Sequence, residues 1–597
     1  MADLSKLTPP KDLSEADRQT LFEHLFRRLA VYRHSAELYA RVEEFHHSSD
    51  THASNEEATA TREEFMREVD AWGQALLENA WFACQEPGGG KCPTLDPLSD
   101  TSVGDLPPLP PPDQLSRTLN AILFLHITSS KRYSARTRAF LTAFSPDCPP
   151  DEFVVAATLK DPDAAVKHAE QYVDSAKKKH ADSGKTLRMM GMGLGAVAGG
   201  VLVGVTGGLA APLVGGAVSA LFGALGVGGT AVGLLASGLA SSGVVCGALF
   251  GAYGAKTTAN MVERHTREIR DLKVVPVRKP KETLALRLCV SGWLSEKGDV
   301  TAPWTVFEGD DTFALQWEVQ ALEDLSNAMY TLVKSQAMKY VQAEIIRRTI
   351  FAALMTSLAP MAFLKVGKII DNPWMNARAL ALKAGAVLAT LLSSHAFGTR
   401  PITLTGYSLG SLVIFEALRI LAENTAEYPP SSTTHLISDV FLFGTPVSTD
   451  PRPWSSIRRL VSGRLVNGYA AQDYVLAVLS RASQASWGVA GLGKVEVQGV
   501  ENVECKGVDG HLKWRGCVGR CLVDVGARGV NEEEARKQER EVGQEIGKEM
   551  EMSEGEVEKT LQEGMGEDEV GAGEGEGEKK KWERFESMKM GKGEAGR

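Results

Sequence analysis

Pro401-Ile-Thr-Leu-Thr-Gly406-Tyr407-Ser408-Leu409-Gly410-Ser411 is the stretch on which the fold of this chain turns. A short β-rich run breaks at Gly406. It continues into Leu412-Val-Ile-Phe-Glu-Ala-Leu-Arg-Ile-Leu421, whose apolar residues suit a helix buried on most faces. Strand, sharp turn and helix are the parts of a nucleophile elbow, which lifts a serine hydroxyl above the end of a sheet. Gly406 and Gly410 are the elbow glycines, because a Cβ at either would crowd the turn. Ser408 is therefore the candidate nucleophile. The plainer alternative is a surface turn whose serine bonds its own backbone.

Outward from the elbow, strands alternate with helices, the pattern of a parallel sheet covered on both sides. Leu284 to Val290 reads as a strand ending in Ser291-Gly292-Trp293, and Thr312 to Trp317 as a second. A long helix is expected from about Glu323 and an apolar stretch to Ile370. A loop at Asp371-Asn372-Pro373-Trp374 and a helix Met375 to His395 follow. Beyond the elbow, Val440 to Phe443, Arg464 to Tyr469 and Val500 to Cys505 read as further strands. The fold class expected is α/β, with an α/β-hydrolase-type parallel sheet over residues 281–519.

A serine hydroxyl needs a base, and the base an orienting acid. The chain order in α/β-hydrolases is serine, acid, histidine. Only His435 and His511 follow Ser408. His435 precedes a strand and so sits at the wrong edge of a parallel sheet, whereas His511 follows the last strand, on the edge of the elbow. The same argument sets aside Asp439 and selects Asp473 as the acid, with Asp450 as runner-up. A helix N-cap before Tyr474 is the structural alternative for Asp473. The oxyanion donors expected are the backbone N–H groups of Leu409 and Trp293, although no His-Gly-Gly-Gly run marks the second. No cofactor or metal is expected, since His511, Cys517 and Cys521 lack a fourth ligand at useful spacing.

The 597 residues include 43% hydrophobic and 23% charged, globular averages that conceal strong segregation. Residues 1–188 read as a helical region with a Pro/Gly linker at about 86–113. Ser14 and Asp17 resemble a capping box there, and Phe65, Val69, Trp72 and Leu76 share one helix face. From Met189 to Ala255 there is no Asp, Glu, Lys, Arg or His. One bilayer crossing takes only ~20 apolar residues, so this block is long enough for two or three. Basic residues flank it, Lys177 to Lys179 before and Lys256, Arg264 and Arg267 after, which favours an even number of spans with both ends cytosolic. Spacings such as Gly200-Gly204-Gly208 let helices approach closely in lipid, and the expectation is a glycine-rich transmembrane hairpin at 189–255. Residues 256–280 read as a linker and 520–597 as a disordered Glu/Gly/Lys tail. The net charge of −10 owes much to that tail and argues against nucleic acid as a partner. Scattered cysteines and the lack of an apolar leader favour a reducing, cytosol-facing location.

Taken in order, Gly204-Val-Thr-Gly-Gly-Leu-Ala-Ala-Pro212, Ser291-Gly-Trp-Leu294, Gly406-Tyr-Ser-Leu-Gly410, Arg464-Leu-Val-Asn467 leading to Asp473, Ala490-Gly-Leu492, Gly499-Val-Glu-Asn502 and Gly510-His511 resemble the transmembrane and coiled-coil domain-containing protein 4 family. The likeness covers roughly Gln114 to Trp514. It implies a membrane-associated protein with a hydrolase-like domain, lipase-type chemistry, and a role in membrane traffic, hence membrane lipids and trafficking proteins as partners. The expected function is a membrane-anchored serine hydrolase acting on an ester or lipid, its domain facing the cytosol. The rival is a catalytically silent hydrolase-fold scaffold. The apolar stretch Ile350 to Leu364 reads as core helix, or alternatively as a lipid-access surface.

Overall fold

β-Branched and aromatic residues between Leu272 and Glu504 build one seven-stranded sheet in the computed structural model, which describes residues 2–48, 52–171, 211–225, 227–250, 271–340, 361–483 and 488–550. The strands are β1 (Leu272–Pro276), β2 (Leu286–Val290), β3 (Asp311–Trp317), β4 (Ile402–Tyr407), β5 (Ile437–Phe443), β6 (Leu465–Tyr469) and β7 (Val500–Glu504). They lie in the order β1-β3-β2-β4-β5-β6-β7, and every neighbouring pair is parallel except β1 with β3. Every residue of β2, β3 and β4 is buried, as strands covered on both faces should be. The connection from β2 runs one way, to β3, and that from β4 the other way, to β5. The order therefore reverses between β2 and β4, where Val290 pairs with Gly406. Open α/β sheets bind ligands in the crevice such a reversal leaves at the C-terminal strand ends.

Before the sheet come α1 (Glu15–His47), α2 (His52–Ala83), α3 (Pro112–Ser130), α4 (Ala135–Phe144), α5 (Glu152–Lys160), α6 (Ala211–Ala224) and α7 (Gly229–Phe250). Ser14 and Asp17 form the expected capping box, which satisfies first-turn N–H groups of α1. Phe65, Val69, Trp72 and Leu76 are all buried. Within and after the sheet come α8 (Val319–Tyr340), α9 (Met361–Ser393), α10 (Leu409–Glu423), α11 (Pro451–Leu460), α12 (Tyr474–Ser483), α13 (Trp514–Asp524) and α14 (Glu532–Met550). One core surrounds the sheet and a second joins α1 to α7. The two are fastened at the N-terminal edge of the sheet: α1 lies on α11, Glu43 pairs with the buried Arg459, and the Tyr32 hydroxyl donates to Ser462 O at 2.8 Å.

Three expectations are corrected. Pro373 does not open a loop but lies inside α9, where Trp374 on the next position is fully buried; that anchor outweighs the one backbone hydrogen bond proline forgoes. Residues 256–280 are not wholly linker, because Leu272–Pro276 adds an antiparallel edge strand. The disordered tail does not begin at 520: α13 runs to Asp524 and α14 lies against it. The close fit comes from glycine, since a Cβ at Gly516 would stand 2.7 Å from Val542 and one at Gly519 3.1 Å from Ala535. The tail beyond residue 550 lies outside the described residues.

Part of the glycine-rich block is described. Helices α6 and α7 are neighbours, and α7 also packs on α3 and α5. Gly238 sets the α3 contact, its missing Cβ only 2.8 Å from Phe124 Cε1. By length and composition alone, Gly229–Phe250 and Asn372–Ser393 would each span a membrane. The second belongs to α9 and faces the sheet core with Ala377, Ala381, Ala384 and Leu388. The basic flanks at 177–188 and 256–267, the Gly200-Gly204-Gly208 spacing and the stretch 350–360 lie outside the described residues.

Candidate active site

The turn between β4 and α10 puts Ser408 at φ 54° and ψ −129°, a left-handed conformation that a non-glycine residue keeps only when its surroundings over-determine it. Its N–H donates to Phe443 O of the next strand at 2.8 Å. The glycines on either side leave no room for a Cβ. A Cβ at Gly410 would stand 2.0 Å from Val290 O, and one at Gly406 2.9 Å from three atoms of the turn and of α10. Tyr407 points the other way and packs on Trp293 and Trp304, donating its hydroxyl to Trp293 O at 3.2 Å. Burial pushes that phenol far above its ordinary pKa, so it stays protonated.

Ser408 Oγ lies 2.5 Å from His511 Nε2, and His511 Nδ1 lies 2.6 Å from Asp473 Oδ2. With Nδ1 donating to the carboxylate, Nε2 is left to accept from the serine. All three side chains are fully buried. Asp473 also caps α12, its Oδ1 accepting from Leu476 N at 3.0 Å. One carboxylate oxygen therefore caps the helix and the other meets the imidazole. The Trp514 indole N–H donates to Oδ2 at 3.0 Å, so a carboxylate removed from water accepts three hydrogen bonds. Sequence reasoning does not find Trp514, although it stands three residues after His511 on the same turn.

The loop after β2 closes the other side. A Cβ on Gly292 would stand 2.5 Å from Leu409 N and 2.7 Å from Ser408 Cβ, so this backbone touches the elbow directly. Among the described residues neither the Leu409 nor the Trp293 N–H has a hydrogen-bond acceptor. Asp299 braces the loop by accepting from Ser295 N and Glu296 N, and Arg515 of α13 grips the same carboxylate at 2.8 and 2.9 Å.

The rejected candidates have other work. His435 lies two residues before β5 at the opposite edge, with Nδ1 2.8 Å from Ser134 Oγ, and burial holds its pKa far below the usual imidazole range. Asp439 accepts from Arg464 N and Asp450 caps α11. Among the described residues no three His, Cys, Asp or Glu side chains are grouped to hold a metal. All eight cysteines are free thiols, and burial pushes Cys517 up to about 12.

Residues 184–528, which include the elbow, Asp473 and His511, match the family model described as Protein of unknown function (DUF726). An uncharacterized membrane protein of Schizosaccharomyces pombe is 33% identical over 412 residues, 67% of this chain and 70% of that one. The transmembrane and coiled-coil domain-containing protein STS1 of Oryza sativa is 34% identical over 367 residues, 59% of this chain and 54% of its own length. The probable lipase MIL1 of Saccharomyces cerevisiae is 34% identical over 315 residues, 52% of this chain but only 27% of that one. No solved structure matches the chain.

Proposed function

The chain belongs to the family described as Protein of unknown function (DUF726), and we propose that within it this protein is a membrane-anchored serine hydrolase of the α/β-hydrolase type, acting on a carboxylic ester or lipid. The observation that carries the reading is the unbroken hydrogen-bond series Ser408, His511, Asp473 at the strand-order reversal. A relative named as a probable lipase and others named as membrane proteins support it. The resemblance to the transmembrane and coiled-coil domain-containing protein 4 family points the same way.

In this mechanism Ser408 Oγ attacks the ester carbonyl carbon while its proton passes to His511 Nε2. The carbonyl oxygen becomes an oxyanion held by the Leu409 and Trp293 N–H groups, each worth ~3 kcal/mol. Collapse of this intermediate breaks the carbon–oxygen bond, and His511 gives the proton to the departing alcohol. Water then attacks the acyl-serine by the same route in reverse, releasing the acid. Asp473 holds the imidazole through its Nδ1–H and stabilises the imidazolium. Hydrolysis of p-nitrophenyl butyrate by the full chain in detergent should fall about four orders of magnitude or more in Ser408→Ala, with melting unchanged. Equal rates in the two proteins would remove the assignment.

A second reading, a hydrolase-fold scaffold that recruits trafficking proteins, is favoured by one observation: the described residues close Ser408 to solvent. It expects no turnover on any ester, and loss of partners when residues 1–188 are removed.

Residues 189–255 are proposed to insert as a hairpin, so that the helical region and the hydrolase domain at 281–519 share the cytosolic side. Membrane lipids are then the nearest substrates. Protease added to vesicles sealed with their cytosolic face outward should digest epitopes at both Asp50 and Met550. Digestion of one alone means an odd number of crossings.

A further inference from the structure

The N-terminal edge of the sheet, opposite Ser408, holds a cavity of about 500 Å³ between α1, α2 and α4 on one side and the starts of β2, β4, β5 and β6 on the other. That volume falls in the range of small-molecule sites. Seven arginines line it against a single acid, Asp439. Four of them are matched by carboxylates: Arg138 and Arg287 by Glu152 and Asp310, Arg459 by Glu43, and Arg464 by Glu501. Arg136, Arg458 and Arg528 remain against Asp439, a surplus of two positive charges.

Two of these are buried donors with spare capacity. Arg136 is 2% exposed and lies over the Phe65 ring at 4.8 Å, yet its Nε and Nη2 have no hydrogen-bond partner among the described residues. Arg458 is 3% exposed and stacks on Tyr39 at 4.6 Å; its Nη groups donate to backbone carbonyls, but its Nε has no partner among the described residues. A buried guanidinium with idle N–H groups is costly unless something accepts from it. Burial accordingly pulls both pKa values below the usual arginine range. Tyr32, Phe307 and Phe441 supply apolar walls, and exposed Arg528 reaches across the rim to Thr142 Oγ1 at 2.5 Å.

We propose that this cavity binds a phosphomonoester carrying an apolar arm, its phosphate accepting from Arg136 and Arg458 and its arm lying on the aromatic walls. A phosphomonoester has a charge of about −1.5 to −2 near pH 7, which matches the surplus, and its three free oxygens suit donors arriving from two elements. Such a phosphate comes either from a lipid headgroup or from a soluble ester. The site stands independently of any chemistry at Ser408, since the strands between the two edges are five to seven residues long, roughly 17–23 Å.

The test is calorimetric titration of the full chain in detergent micelles with phenyl phosphate, dihexanoyl phosphatidic acid and dihexanoyl phosphatidylcholine. Saturable binding of either phosphomonoester, at least about tenfold tighter than phosphatidylcholine, is expected, with about tenfold loss in Arg136→Gln and partial recovery in Arg136→Lys. Tighter binding of phosphatidic acid than of phenyl phosphate assigns the lipid source, and equal or tighter binding of phenyl phosphate the soluble one. Ala139→Phe, which adds bulk to the cavity wall, should weaken binding at least as much and serves if Arg136→Gln does not fold. No binding by the wild-type chain, affinity equal to that for phosphatidylcholine, or undiminished binding in folded Arg136→Gln or Ala139→Phe overturns the site.

Discussion

Glycine is abundant both at the turn around Ser408 and along Gly229–Phe250, and it serves opposite ends in the two. At the turn each glycine is enclosed: a Cβ on Gly406, Gly410 or Gly292 would come within 2.0 to 2.9 Å of backbone, in the turn itself for Gly406 and on the facing segment for the other two. Along α7, Gly233, Gly243 and Gly247 meet nothing within 4 Å, and only Gly238 is pressed against a neighbour, Phe124 and Thr128 of α3. The first set is needed by this chain's own fold. The second leaves one helix face bare among the described residues, which is what a helix offers when its partner is lipid or another helix.

The largest effect that follows is at the enclosed turn. Gly410→Ala forces backbone against backbone at Val290 O, where no side chain can yield, and should cost on the order of 3 kcal/mol or more together with all ester hydrolysis. A melting temperature within about 1 °C of wild type would show that the turn tolerates a Cβ there and that its closeness does not constrain the fold. Gly238→Leu tests the one enclosed glycine of α7. If α7 stays on α3 the substitution should cost about 1–3 kcal/mol, whereas a helix that leaves α3 for lipid should not register it. Thermal melts in micelles and in bilayer nanodiscs separate the two cases. Gly243→Ala is the smallest: on a bare face it should stabilise the helix by about 0.5–1 kcal/mol, and a loss instead would mean that a close partner occupies that face.

How far each region is legible in the sequence follows from the range of the forces that shape it. The elbow is local, since a strand, a glycine-flanked serine and an apolar helix occur in one run of residues. Asp473 and His511 are then reachable because a parallel sheet sends every strand end of one kind to one edge. Trp514 is not, because nothing in its neighbourhood tells that the indole N–H meets a carboxylate 41 positions earlier. β1 escapes for an ordinary reason: an edge strand with Lys273 on it and Pro276 at its end lacks the apolar run of a central strand. In α14 the apolar stripe is thin, Ala535, Val542 and Ile546 amid glutamates, and it becomes a packing face only opposite Gly516 and Gly519. Pro373 misleads because the local rule that proline ends a helix is overridden by a buried neighbour, Trp374.

Ser408 is proposed as a nucleophile activated by His511 and oriented by Asp473. Mass-spectrometric mapping of the residue modified when the full chain reacts with a fluorophosphonate tests it directly. One modified peptide is expected, carrying the phosphonyl group on Ser408, and it should disappear in His511→Ala with the fold retained. An unmodified Ser408 in folded wild-type protein, or a label that persists on Ser408 at undiminished rate without His511, would contradict it.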